Sequence, residues 1–260
     1  MEFYHSVLEI LQQHYLLIIA FFFIAIIYSS VGFGGGTSYS ALLSLTGIPF
    51  IQFRAISLLC NIAVVSNGTL LYHKNKLYNW KKVLPIVLFS VPFAFIGGLL
   101  RIEKRYFYII LGVSLLVAAI MTITSKYIKK NEEAIETNFS FLKNALFGSS
   151  IGFLSGMVGV GGGVFLAPLL HLTKWDSPKK IAATSSFFIL VNSIAGLVGQ
   201  FQNEDFQINF SLVVVLIFSV FFGGQIGSRM SLKVNQKIIK TITAFLIGFV
   251  GLRILYLNLI

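Results

Sequence analysis

Two glycine-rich stretches, Val31-Gly32-Phe33-Gly34-Gly35-Gly36 and Val158-Gly159-Val160-Gly161-Gly162-Gly163, each interrupt sequence that otherwise reads as membrane helix. In lipid every backbone N–H and C=O must be paired internally, so glycine runs at that depth are tolerable only where they line a cavity or pack against protein. A helix beginning just after Gly36 or Gly163 aims unpaired N–H groups, and the positive end of its macrodipole, at the glycine tip. Such a terminus binds sulfate-like or carboxylate groups without any formal charge, and glycine admits the ligand close to the backbone. Gly34, Gly35, Gly36, Gly161, Gly162 and Gly163 are therefore candidate binding residues, and close helix packing of the small-residue type is compatible with that role. Thr37 and Ser38 can add hydroxyl donors from the first stretch. Thr184, Ser185, Ser186 and Asn192 can do so from the second half, with Ser57 and Asn61 opposite them. Arg54 and Lys180, at the two hairpin exits, would draw anions toward the mouths.

The acidic residues sharpen the chemistry. Glu2, Glu9, Glu103, Glu132, Glu133, Glu136, Asp176, Glu204 and Asp205 all fall at the N-terminus or between apolar segments. An intramembrane carboxylate is the usual ligand for a cation or relay for a proton, so cation transport is disfavoured and an anion is indicated. His171 closes the second short segment beside Lys174 and reads as an interfacial residue rather than a proton-linked one. No His, Cys or Glu cluster has metal-ligand spacing, neither glycine stretch is followed by the Lys-Ser/Thr of a phosphate loop, and no acidic residue at membrane depth could complete a catalytic triad. No catalytic residue, metal or cofactor is expected, and the chain is not read as an enzyme.

These groups must be positioned by membrane helices. Hydrophobic residues make up 56% of the 260-residue chain, charged residues only 11%, and the mean hydropathy is +0.85, whereas soluble domains carry roughly 25% charged residues. Segments long enough to cross a hydrocarbon layer of about 30 Å run from about 7 to 31, 52 to 73, 82 to 100, 104 to 125, 141 to 158, 178 to 200, 209 to 230 and 235 to 258. Two shorter ones, 36 to 48 and 163 to 172, each follow a glycine cluster and read as the return arm of a hairpin with the glycine loop at its tip. The N-terminus lacks a basic n-region, so the first segment is kept as a permanent span. Trp80 and Trp175 lie near loops, as interfacial anchors should, and the single Cys60 is read as a small buried hydrophobe.

The halves superimpose in sequence. At an offset of 127, five of the six glycine-stretch positions match, along with Leu42/Leu169, Leu43/Leu170, Leu45/Leu172 and Thr46/Thr173; at 128, Ala55/Ala183, Ser57/Ser185 and Gly68/Gly196 match; Gly97/Gly227 follows at 130. Residues 1–125 are thus a first transmembrane repeat, 126–140 a cytoplasmic linker and 141–260 a second repeat. The net charge of +11 is explained by cytoplasmic loops rather than by nucleic acid. With the linker inside, Lys74, Lys76, Lys81, Lys82, Lys126, Lys129, Lys130, Lys143, Lys174, Lys179, Lys180, Arg229, Lys233, Lys237 and Lys240 are cytoplasmic. Only Arg54, Arg101, Lys104, Arg105 and Arg253 of the 20 Lys and Arg residues then lie outside. A hairpin enters and leaves on one side, so the repeats come out inverted, with both termini outside. The expected fold is an all-α polytopic membrane protein, each half having four long helices and one short re-entrant helix after its GxGGG loop.

Taken together, the paired glycine clusters, Ala183-Thr184-Ser185-Ser186 followed by Asn192 and Gly196, the weaker Ala55-Ile56-Ser57 followed by Asn61 and Gly68, and Gly223-Gly224-Gln225-Ile226-Gly227 resemble the TauE/SafE sulfite exporter family over essentially the whole chain. The resemblance implies a plasma or inner membrane transporter that exports a small sulfur-containing anion, such as sulfite, sulfoacetate or a related organosulfonate. Its partners would be that anion and the lipid bilayer, with a homo-oligomer left open. The first half departs from the second, having Leu58 where Ser186 aligns and no proline matching Pro168. A passive anion channel would share this site chemistry; a membrane-embedded enzyme or scaffold would need a reactive constellation that the sequence lacks.

Overall fold

The computed structural model describes residues 9–44, 46, 48–127, 141–204, 206–230 and 236–259. After a helical stretch over 9–13 and a bend at His14, the elements in chain order are α1 (Tyr15–Ser29), α2 (Gly36–Leu43), α3 (Phe50–Lys74), α4 (Trp80–Leu99), α5 (Lys104–Tyr127), α6 (Phe141–Val158), α7 (Gly163–Leu172), α8 (Pro178–Phe201), α9 (Phe210–Met230) and α10 (Gln236–Leu259). Among the described residues there is no strand. Five helices, spanning 52–74, 80–99, 104–125, 178–201 and 210–230, are long and apolar enough to cross a membrane by length and composition. The chain is a multi-pass helical membrane protein. Of the expected linker, Lys126 and Tyr127 end α5 and the rest lies outside the described residues, as do residues 1–8 and 231–235.

Local sequence explains the boundaries that matter for the site. The expected short segment 36–48 is helical only over Gly36–Leu43, because the Ser44 and Thr46 hydroxyls turn back onto the carbonyls of Ala41 and Leu43 and Pro49 then caps α3 in an extended conformation. Pro178 starts α8 after an extended Ser177, where its missing N–H and fixed φ cost nothing.

Hydrophobic burial cannot hold these helices together, since lipid is as apolar as leucine; close backbone approach does so instead. Gly148, Gly152 and Gly156 recur every four residues on α6, and a Cβ at any of them would run into the carbonyl of Ile86, Ser90 or Ala94 on α4. Large side chains such as Leu84, Leu88, Phe218, Phe222 and Leu252 are exposed on the outside, whereas Ser57, Asn61, Ser90, Ser155, Ser185, Asn192 and Ser193 are wholly buried.

The contacts come in reciprocal pairs. Helix α4 packs on α6 and α8, and α9 packs on α1 and α3; α5 lies on α7, and α10 on α2. Residue by residue, Gly97 approaches Phe153 while Gly227 approaches Ile26, and Gly32 approaches Ala182 while Gly159 approaches Arg54. Each couple is related by the offsets read from the sequence. At the centre α3 and α8 run antiparallel, with Leu58 beside Gly196 and Gly68 beside Ser186.

Candidate functional site

Both glycine tips are built alike. Phe33 N–H donates to the Tyr28 carbonyl at 2.9 Å, and Val160 N–H to that of Ser155 at 3.2 Å. Positive φ is used at Gly32 and Gly35 in the first tip and at Gly159, Gly161 and Gly162 in the second, a region that costs an L-residue about 1–2 kcal/mol. Gly35 and Gly162 are the N-caps of α2 and α7, both left-handed, and neither helix has a side-chain cap. An N-cap without a side chain leaves the first-turn N–H groups for another acceptor.

The tips meet at Asn61, halfway along α3. A Cβ on Gly34 would strike its Oδ1; one on Gly36 would lie 2.5 Å from its Nδ2 and 3.0 Å from the Val160 carbonyl oxygen; one on Gly161 would lie 2.7 Å from its Nδ2 and 2.9 Å from Ser193 Oγ. Across from it, Ile189 of α8 abuts Gly34, Gly161 and Gly163. Asn61 and Ile189 occupy equivalent positions at the offset of 128, so the centre is polar on one side and apolar on the other.

Asn61 is fully buried, and neither its Nδ2 nor its Oδ1 has a hydrogen-bond partner. Leaving such a group unpaired costs about 1–3 kcal/mol, which native proteins tolerate mainly where function requires it. Ser185 Oγ, Ser193 Oγ, Ser155 Oγ and the Tyr39 hydroxyl are also buried without partners. Tyr39 lies against Gly35, Ser155 against Gly162 and Ser193 against Gly161. Of the residues expected from sequence, Gly34–Gly36, Gly161–Gly163 and Asn61 meet here, with the Ser185 backbone beside Gly163; Thr37 follows Gly36 in the first turn of α2. Tyr39, Ser155 and Ser193 join this cluster unforeseen.

The remaining candidates spend their groups on the protein. Ser38 Oγ and Tyr28 OH lie 2.6 Å apart, and Ser40 and Ser57 share a bond of 2.7 Å. The Thr184 hydroxyl donates to the Lys180 carbonyl in its own helix, and Ser186 to the carbonyl of Val65. Asn192 Nδ2 donates to Ser90 Oγ and the Phe188 carbonyl, though its Oδ1 has no partner.

Arg54, expected as an anion-attracting group at a mouth, is instead buried at 6% exposure, with its guanidinium donating to the carbonyls of Leu100, Gly97, Gly98 and Gly156 at 3.0–3.2 Å. The physical reason is that α4 ends at Leu99, leaving carbonyls without helical partners and a negative dipole end that a cation complements. Arg54 thereby ties the second tip to α4. Lys180 lies 3.6 Å from Asp176, whose side chain is 2% exposed and also faces Lys82 at 3.9 Å. Trp175, expected as an interfacial anchor, is buried at 1% exposure, its carbonyl accepting from Lys82 and its ring lying beneath that ammonium.

Arg54→Met is expected to destabilise the protein by about 3 kcal/mol or more, since several buried carbonyls lose a donor at about 1–3 kcal/mol each. Arg54→Lys should rescue little, because one ammonium cannot reproduce the planar fork. Thermal unfolding in detergent checks this; unchanged midpoints in both variants would remove the tie.

A family model described as sulfite exporter TauE/SafE matches residues 17–254. The chain is 31% identical over 242 residues to a protein of Sinorhizobium fredii named "Probable membrane transporter protein y4hK", covering 92% of this chain and 97% of that one. It is 27% identical to "Probable membrane transporter protein MJ0441" of Methanocaldococcus jannaschii, covering 91% and 93% of the two chains. It is 26% identical to "Probable membrane transporter protein YunE" of Bacillus subtilis, covering 88% and 92%. No solved structure matches it significantly.

Proposed function

This chain belongs to the sulfite exporter TauE/SafE family, and from that premise we propose that it is a membrane transporter exporting a small sulfur-containing anion by alternating access. The observation that carries the proposal is the buried, unpartnered Asn61 amide held between two uncapped glycine N-termini. Two dipole ends and neutral donors converge there. That environment suits a compact oxyanion, which accepts several N–H and O–H bonds at once.

The two halves act as inverted repeats around this centre. Their reciprocal contacts and the antiparallel course of the equivalent helices α3 and α8 support this reading, because equivalent elements then face opposite sides of the bilayer. Rocking one half against the other would open the same site alternately to each side. The linker and the loop from Lys74 to Lys82 are placed in the cytoplasm by the positive-inside rule. Single cysteines at Asn75 and Asn203 in a Cys60-free background are expected to react with impermeant reagents from opposite sides. Labelling of both from outside would defeat the inverted arrangement.

Sulfite and sulfoacetate are expected to bind at least about tenfold more tightly than the zwitterion taurine, whose ammonium finds no acceptor at a cost of about 1–3 kcal/mol. Calorimetry on the purified protein tests this. Equal affinity for taurine and sulfoacetate would remove the anion reading.

A further inference from the structure

Between α1, α2, α5 and α10 lies a cavity of about 370 Å³, a size at which small-molecule sites begin, about 300–1,000 Å³. Its walls are mostly apolar, with Leu42, Phe249, Val250 and Ile254 among them, and its polar lining is Ser38, Ser44, Tyr108, Asn258, Lys104 and Arg253. Helices α5 and α10 run antiparallel, Gly112 meeting Gly251 and Leu255 while Gly248 approaches Ala119. Lys104, at the start of α5, and Arg253, about level with Gly112, thus both line the cavity from the facing helices α5 and α10. Both are exposed, and neither has an ion-pair partner among the described residues. At the equivalent positions of the second half, α7 carries the larger Phe165 and Pro168 where α2 has Ser38 and Ala41.

We propose that this cavity is a binding site for an anionic phospholipid, with one acyl chain along the apolar walls and the headgroup phosphate between Lys104 and Arg253. A small hydrated anion would engage only the polar part of the lining and leave the apolar surface of Leu42, Phe249, Val250 and Ile254 uncovered. A zwitterionic lipid leaves the cations without a net opposite charge. Basic pockets between membrane helices select anionic headgroups by this logic. The cavity reaches α2 at Ser38, just past the first tip, but Lys104 and Arg253 belong to neither tip, so its test stands whether or not the transport reading holds.

The purified protein in neutral detergent is titrated with dioleoyl phosphatidylglycerol or dioleoyl phosphatidylcholine, and bound lipid is counted by native mass spectrometry. One phosphatidylglycerol should be retained with about 30-fold preference, equivalent to about 1 kcal/mol for each of two basic residues. The double variant Lys104→Gln/Arg253→Gln, altering two exposed side chains, should bring the two lipids to parity with an unchanged unfolding midpoint. Val250→Trp, which fills the apolar part, should reduce retention of both lipids. Millimolar inorganic phosphate should not displace the lipid. Parity of the two lipids in the unaltered protein, a preference that survives the double variant, or displacement by free phosphate would each overturn the proposal.

Discussion

Replacing Gly35 or Gly162 by valine is expected to abolish transport while leaving folded protein in the membrane. Gly35 has φ +89°, and a Cβ there would lie 2.9 Å from the Tyr39 ring and hydroxyl; at Gly162, with φ +76°, it would lie 2.8 Å from Phe188 and 3.1 Å from Ser155. The left-handed conformation costs about 1–2 kcal/mol and the overpacking about 1–3 more. Together these fall short of a typical folding free energy of about 5–15 kcal/mol. The tip must nevertheless move, and with it the N–H groups of the first turn of α2 or α7. Gly248→Ala is the matched control: its Cβ would meet only Ala119, at 3.5 Å, and flux should be unchanged. Anion flux from proteoliposomes measures all three, and normal flux in both valine variants would reduce the tips to packing elements.

Asn61→Leu is expected to separate binding from stability. Leucine has nearly the shape of asparagine but leaves no buried amide unpaired, so the empty protein should unfold at the same temperature or higher. Anion binding should weaken by about 10- to 150-fold, the equivalent of a charge-assisted hydrogen bond of about 1.5–3 kcal/mol. Loss of function with gain of stability is what a site holding polar groups in reserve produces. A residue serving only to pack would lose stability and leave binding alone. Ser185→Ala, removing one unpartnered hydroxyl, should act in the same direction with a smaller effect.

The helices were legible because glycine clusters and apolar runs are strong local signals: α2 and α7 begin at Gly36 and Gly163, where the sequence places them. The site was legible in its backbone and only partly in its side chains. Ser185, Ile189 and Ser193 follow one another at four-residue spacing on α8, so the face of the expected Ser185 also carries Ile189 and Ser193, which abut the tips, and that periodicity was the available signal. Asn192 lies one residue off that face, and its Nδ2 reaches Ser90 on α4. In the sequence Arg54 stands at a hairpin exit, which suggests a mouth residue. The carbonyls that claim it belong to the end of α4 and to α6, a long-range pairing that no local pattern records. Trp175 was misplaced for a similar reason: a loop tryptophan suggests the interface, but Lys82 and Asp176 fold that loop over it.

The most direct test of the central claim is to locate the bound anion itself. Selenite, the heavier analogue of sulfite, marks its position by anomalous scattering in crystals of the purified protein. The account predicts one peak within hydrogen-bonding distance of the Asn61 amide and the first-turn N–H groups of α2 or α7, absent in Asn61→Leu. A peak only beside the exposed lysines and arginines, or a central peak undiminished in that variant, would contradict it.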